Sequence, residues 1–209
     1  MLSERTLWQM VQAGGFTMYI LLICSIFSFT IFLERFIYYR KKAKAKRAEF
    51  LEELKKELEK GNTKKASEIC QNTDAPFASV ASAGIIHSGQ NEKAISNAME
   101  RAIAIETTKL ERYTSIVGTI GSTAVYVGLF GTVLGIIRAF RDISVNRAAG
   151  INIVISGISE ALICTAAGLL VAVPAVIAYN YFVKKIDNFV TDMELCASEV
   201  NDLLTSKQK

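Results

Sequence analysis

The sequence predicts an all-α membrane protein with three transmembrane helices, the second and third long and extended into the cytoplasm as a helical bundle. Three observations predict it. No charged residue lies between Ile116 and Ile137, and between Ala148 and Val183 there is only Glu160. An α-helix rises about 1.5 Å per residue, so a ~30 Å hydrocarbon core takes roughly 20 apolar residues, and both segments qualify. Charge is instead concentrated in residues 34–112. That is the distribution of a membrane protein with a water-exposed middle, not of a uniform soluble core.

Taken in order, residues 1–15 read as an interfacial amphipathic helix. Leu7, Trp8 and Val11 share one side and Glu4, Arg5 and Gln9 are among its polar positions, with Trp8 as an interface anchor. A cleavable signal peptide fits poorly, because no basic region precedes an apolar core and no small-residue cleavage site follows. Residues 16–39 are the first transmembrane helix, apolar from Phe16 to Leu33 and ending in Tyr38-Tyr39. The basic run Arg40, Lys41, Lys42, Lys44, Lys46 and Arg47 then marks the cytoplasmic side, against Arg5 alone on the other. The N-terminus is expected outside, in the periplasm.

Residues 40–113 are a cytoplasmic helical region. A Lys-, Glu- and Leu-rich helix runs to Lys60 and stops at Gly61-Asn62. A short helix over Thr63–Gln71 ends at Asp74-Ala75-Pro76, and another covers about Phe77–His87. From Glu92, Met99, Ile103, Leu110, Tyr113 and Val117 recur at helical spacing, and no proline intervenes before Ile137. This predicts one unbroken helix, upwards of about 65 Å long, entering the second span (114–140) directly. Its apolar stripe implies a bundle or an oligomer. Residues 141–156 are a short periplasmic loop, 157–183 the third span, and 184–209 a cytoplasmic helix with Phe189, Met193, Cys196 and Val200 on one stripe. Arg138, Arg141 and Arg147 stand on the outer side against the charge rule, but Lys184-Lys185 and the basic run outnumber them.

Composition excludes several classes. The net charge of +4 is a topology signal and does not point to nucleic acid. Cys24, Cys70, Cys164 and Cys196 have no metal-type spacing and suggest no disulfide framework. No cofactor is implied, and no nucleophile–base pair, phosphate loop or metal cluster points to an enzyme. Three spans offer no inverted repeat, which disfavours a secondary transporter.

Gly121, Gly128, Gly131 and Gly135 stud the second span and Gly168 the third. In lipid, close backbone approach at small residues drives helix packing, which is the role expected of all five. Thr132 lies 16 residues from Ile116, and Thr165 lies 16 residues from Tyr181. Each is therefore about 24 Å from the cytoplasmic edge, so the two hydroxyls meet one level of antiparallel helices. Taken singly, each threonine is expected to bond its own helix carbonyl. Glu160 lies about 31 Å from that edge, near the outer mouth. A carboxylate there is costly unless it faces water, a cation or a partner, so it is either functional or an interfacial acid paired with Arg138 or Arg141. Pro174 is a hinge or a static kink in the third span.

Gly128-Leu129-Phe130-Gly131-Thr132-Val133, Gly157-Ile158-Ser159-Glu160-Ala161-Leu162, Thr165-Ala166-Ala167-Gly168-Leu169, Val173-Pro174-Ala175 and Tyr179-Asn180 together resemble the MotA/TolQ/ExbB proton channel family. Three spans with the large cytoplasmic segment after the first resemble ExbB, and TolQ next, more than the four-span MotA stators. The resemblance implies a homopentamer in the bacterial inner membrane whose second and third spans line a pore. It further implies an ExbD- or TolR-like single-span partner carrying a membrane aspartate, and a TonB- or TolA-like protein that receives the motion. Thr132 and Thr165 would face the partner aspartate, with Glu160 along the pore lining. One departure is that Ala124-Val125 stands where the family often has Ala-Pro, which predicts a straighter entry into the second span. The leading expectation is an ExbB-like subunit serving TonB-dependent transport. The alternatives are a TolQ-like envelope-maintenance subunit and a membrane scaffold without a proton path.

Overall fold

The computed structural model describes residues 15–145 and 150–206. The expected interfacial helix, apart from Gly15, and the link residues 146–149 lie outside the described residues. Every regular element described is a helix: α1 (Phe16–Lys42), α2 (Arg47–Glu59), α3 (Thr63–Asn72), α4 (Pro76–Ile86), α5 (Glu92–Glu111), α6 (Thr114–Val145) and α7 (Gly150–Thr205). Three of these, α1, α6 and α7, are long and apolar enough to cross a membrane. The all-α, three-span class predicted from the sequence is the class observed.

The chain forms two compact units. The apolar unit comprises Met1–Leu33 and Tyr113–Tyr181. Within it α6 and α7 run antiparallel at very short separation, because small residues face small residues. A Cβ added at Gly121 would meet the Val176 side chain at 2.8 Å, and one at Gly128 the Cys164 carbonyl oxygen at 2.7 Å. Further out, a Cβ at Gly135 would meet Ala161 at 2.6 Å and one at Gly157 would meet Ala139 at 2.6 Å. With no hydrophobic drive between helices in lipid, this backbone proximity supplies the dispersion contacts that hold the pair. Met18 and Leu21 of α1 pack on Ala124, Cys164 and Ala172. Phe27, Phe29, Tyr126, Leu170 and Ile177 point outward, an apolar surface suited to lipid or to further subunits. α7 passes through Pro174 without interruption, with Pro174 on the exposed face and Ala172 and Ala175 turned inward.

The charged unit comprises Glu34–Arg112 and Phe182–Lys209. Local chemistry sets its short helices. Asn62 and Asn91 accept from the backbone N–H of Lys65 and Ala94, the caps of α3 and α5, and Pro76 opens α4 where a missing N–H costs nothing. Its core joins Phe50, Leu54 and Leu58 of α2 with Val80 and Ile85 of α4 and Ile95 and Met99 of α5. The inward stripe of α7, with Phe189, Met193, Cys196 and Val200, is buried as its spacing predicts. Arg47 closes the edge through ion pairs with Asp192 at 3.2 Å and Glu199 at 3.0 Å.

Two expectations are corrected. The single helix predicted from Glu92 into the second span is two helices, α5 and α6, separated at Arg112 and Tyr113. Tyr113 stands at φ 65°, a left-handed conformation costly for a non-glycine residue. Competition for carbonyls explains the break. In a continuous helix the Lys109 and Leu110 carbonyls would accept from residues 113 and 114. Instead the Arg35 guanidinium donates to Lys109 O at 3.3 Å and the Tyr39 hydroxyl donates to Leu110 O at 2.8 Å. Two side chains of α1 thus terminate α5, and the stripe residue Tyr113 is exposed. The second correction concerns the outer loop. α6 continues to Val145 and α7 begins at Gly150, so Arg138, Arg141 and Asp142 sit on helix and not on a loop. Long arginine side chains carry their charge to the polar edge while the backbone stays helical.

Candidate functional site

The antiparallel register of α6 and α7 brings the singled-out glycines and the two threonines into one interface of the apolar unit. Gly128 lies against Thr165 and Gly168, Gly131 against Cys164, and Gly135 against Ala161. Thr132 follows Gly131 and Thr165 follows Cys164, so the two threonines share one level of the helix pair to within a turn. Their hydroxyls do different things. Thr132 is 7% exposed and donates at 2.6 Å to Leu129 O of its own helix. Thr165 is half-buried and donates across the interface to Gly128 O at 3.4 Å, which the absent side chain at 128 permits. The local back-bond expected of a membrane threonine is therefore found at Thr132, whereas Thr165 ties the two helices together.

Glu160 is half-buried, a little over one turn beyond Thr165. It lines a cavity of about 300 Å³ with Arg138, Asp142 and Ser156, walled on the α1 side by Phe16 and Thr17 and floored by Gly131 and Cys164. A carboxylate in such a setting has both a counter-charge and room for water, the two conditions that make a charge tolerable at membrane depth. The space could hold on the order of ten waters at ~30 Å³ each. Arg138 reaches toward α1: a Cβ on Gly15 would lie 2.9 Å from its Nη1, a contact the flexible guanidinium can relieve, whereas Gly15 at φ +63° favours glycine on backbone grounds.

Sequence reasoning did not single out Thr17. Its signal was faint, a lone hydroxyl at the start of an apolar run, yet it is 2% exposed and donates to Cys164 Sγ at 3.7 Å. A second missed feature is the exposed hydroxyl row Ser115, Thr119, Ser122 and Thr123 on α6, of which Thr119, Ser122 and Thr123 bond carbonyls of their own helix. Its helical spacing was readable. No group of three or more His, Cys, Asp or Glu that could hold a metal occurs among the described residues.

Comparison with known proteins supplies the context for these residues. The sequence profile of the MotA/TolQ/ExbB proton channel family matches residues 42–195. The chain is 43% identical over 113 residues to the Tol-Pal system protein TolQ of Pseudomonas aeruginosa, a stretch covering 54% of this chain and 49% of that protein. To the biopolymer transport protein ExbB of Pseudomonas putida it is 39% identical over 102 residues, covering 49% of this chain and 31% of that one. Against the ExbB of Salmonella typhimurium the identity is 30% over 219 residues, with 96% of this chain and 86% of the relative covered. The chain thus spans about half or less of the two Pseudomonas proteins and most of the Salmonella one.

Proposed function

Because the chain belongs to the MotA/TolQ/ExbB proton channel family, we propose that it is the pore-forming stator subunit of an inner-membrane proton-driven motor of the ExbB kind. With an ExbD-like single-span partner it couples the proton motive force to TonB-dependent transport across the outer membrane. The family is one of proton channels and not of enzymes, and the three spanning helices agree with that class. In this reading the chain assembles as a homopentamer, with its N-terminus periplasmic and its C-terminus cytoplasmic. The exposed apolar faces of the membrane unit support an assembly in which they are covered.

One observation carries the proposal: Thr132 and Thr165 stand at one level, Glu160 stands with Asp142 in a polar cavity just beyond, and residues 114–140 and 157–183 hold no carboxylate other than Glu160. Hydroxyls relay a proton but do not store one at neutral pH, so the titrating acid at the threonine level must come from a partner helix. Each proton crossing ~100 mV releases about 2.3 kcal/mol, so a few crossings supply a conformational step. The row Ser115, Thr119, Ser122 and Thr123 supports a polar lining for the inner half of the path.

The test compares growth on a scarce nutrient imported through the outer membrane for wild type, Glu160→Gln and Thr165→Val, at equal membrane expression. Loss of growth with an intact oligomer is the expected result. The identity to a TolQ protein favours a second reading, a Tol-Pal envelope-maintenance role. In that case nutrient uptake is normal and the same variants make the envelope sensitive to detergent. If neither phenotype moves, the chain is a scaffold and the proton path is wrong.

A further inference from the structure

The polar cavity of the membrane unit is lined by three helices of a single chain and open at its outer end, on the side of the α6–α7 pair that α1 covers. Its walls carry Thr17, Arg138, Asp142, Ser156, Glu160 and Cys164. Among the described lining residues, two carboxylates stand with one guanidinium, while Arg141 is on α6 but does not line the cavity. Low-dielectric walls such as Phe16, Leu134, Ala139 and Ala161 focus the field of the lining charges and raise the local concentration of small cations. The floor at Gly131 and Cys164 is one residue from each of Thr132 and Thr165.

The geometry points to a water-filled vestibule inside each subunit, which concentrates small cations and leads from the outer face to the threonine level without passing through the shared pore. Asp142 sets the sign of its field with Glu160, Arg138 moderates that field, and Thr17 marks its inner limit. Four features fit this use. The volume takes several waters, and Thr17, Ser156 and the charged groups offer them partners. Gly131 sets the inner end, since a Cβ there would lie 2.7 Å from Thr17 Oγ1 and 2.7 Å from Cys164 Cβ, so α1, α6 and α7 close on one another at the floor. The Arg138 guanidinium stands beside Gly15 at the start of α1, 2.9 Å from where a Cβ there would lie, so a charge of opposite sign faces the two carboxylates. Fixed charges of both signs polarise bound water and cost no reorganisation when a cation enters. The outward direction of the vestibule rests on the topology proposed above.

The test is cysteine accessibility in intact cells carrying the full chain in its own membrane. Thr17→Cys is made in a Cys164→Ser background, because hydroxyl and thiol lie 3.7 Å apart and two thiols there would join. Cells are treated with a methanethiosulfonate bearing a trimethylammonium group or, separately, one bearing a sulfonate. Labelling is read by mass spectrometry of the peptide holding residue 17. Labelling by the cation about tenfold faster than by the anion is expected, with Arg138→Gln raising that ratio and Asp142→Asn bringing it toward one. Leu134→Cys, on the half-buried α6 wall, serves as a second reporter should Thr17→Cys fail to insert, and buried Ala124→Cys outside the cavity should stay unlabelled. Residues 17 and 134 both protected while Ser156→Cys labels would overturn the vestibule, and so would a ratio that ignores Asp142. Labelling needs no proton transport, so the vestibule survives if the Glu160→Gln growth test fails, and the converse also holds.

Discussion

Replacing Gly128 by alanine tests the packing that the site depends on. A Cβ at 128 would lie 2.7 Å from the Cys164 carbonyl oxygen, 3.1 Å from the Gly168 Cα and 3.2 Å from the Thr165 Cα. All three are backbone atoms, so no rotamer change relieves the contact. Reaching ordinary contact distance takes roughly 0.7 Å of separation between α6 and α7. Overpacking of this kind costs about 1–3 kcal/mol. The same movement breaks the Thr165 bond to Gly128 O, already 3.4 Å long, a further loss of about 0.6 kcal/mol. Alanine's better helix propensity returns about 1 kcal/mol. The net is a destabilisation of about 0.6–2.6 kcal/mol, or a fall in Tm of about 1–10 °C for a chain of this size. The assay is thermal unfolding in detergent with a thiol-reactive dye, since Cys164, Cys70 and Cys196 are buried and report on opening. Gly84→Ala is the control, because a Cβ there meets the flexible Met99 Sδ at 2.8 Å and should leave Tm within about 2 °C. A Tm for Gly128→Ala at or above wild type, or an equal fall for Gly84→Ala, refutes the reasoning.

Three further outcomes follow from the charged unit. Tyr39→Phe removes the donor to Leu110 O and should cost about 0.5–1.5 kcal/mol, read as a fall in Tm, and an unchanged Tm would contradict the account of the break. Burial pushes the Cys70 thiol up to about 11 and the Cys196 thiol up to about 12, so both should resist alkylation at pH 8 in the folded protein and react on unfolding, as peptide mapping would show. The Lys42 ammonium, by hydrogen bond and charge, holds the Asp74 carboxyl below its usual range. A depressed folded value stabilises above the ordinary carboxylate pKa of about 3.9 and is lost as pH falls through the folded value, and water screening keeps it below about 1 kcal/mol. Asp74→Asn should therefore lower stability slightly at pH 7 and flatten the acid limb of a Tm-against-pH curve; an unchanged acid limb counts against the pair.

The three spans, their order, the caps of the short helices and the inward stripe of α7 were legible in the chain. So was the common level of Thr132 and Thr165. These properties are local or periodic: a helix advances by a constant rise, apolar runs have a length, and a cap needs only its own next three residues. The break at Tyr113 was not legible, because it is decided by Arg35 and Tyr39, some seventy residues away, taking carbonyls that the helix would otherwise use itself. Nor could spacing alone tell which threonine bonds its own helix and which crosses to the other. That difference depends on a missing side chain at Gly128 and on the separation of two helices. The cavity is the clearest case. Its charges come from α6 and α7, but α1 makes it a cavity by closing one side with Phe16 and Thr17. Enclosure is a property of three helices at once, and no window of sequence contains all three.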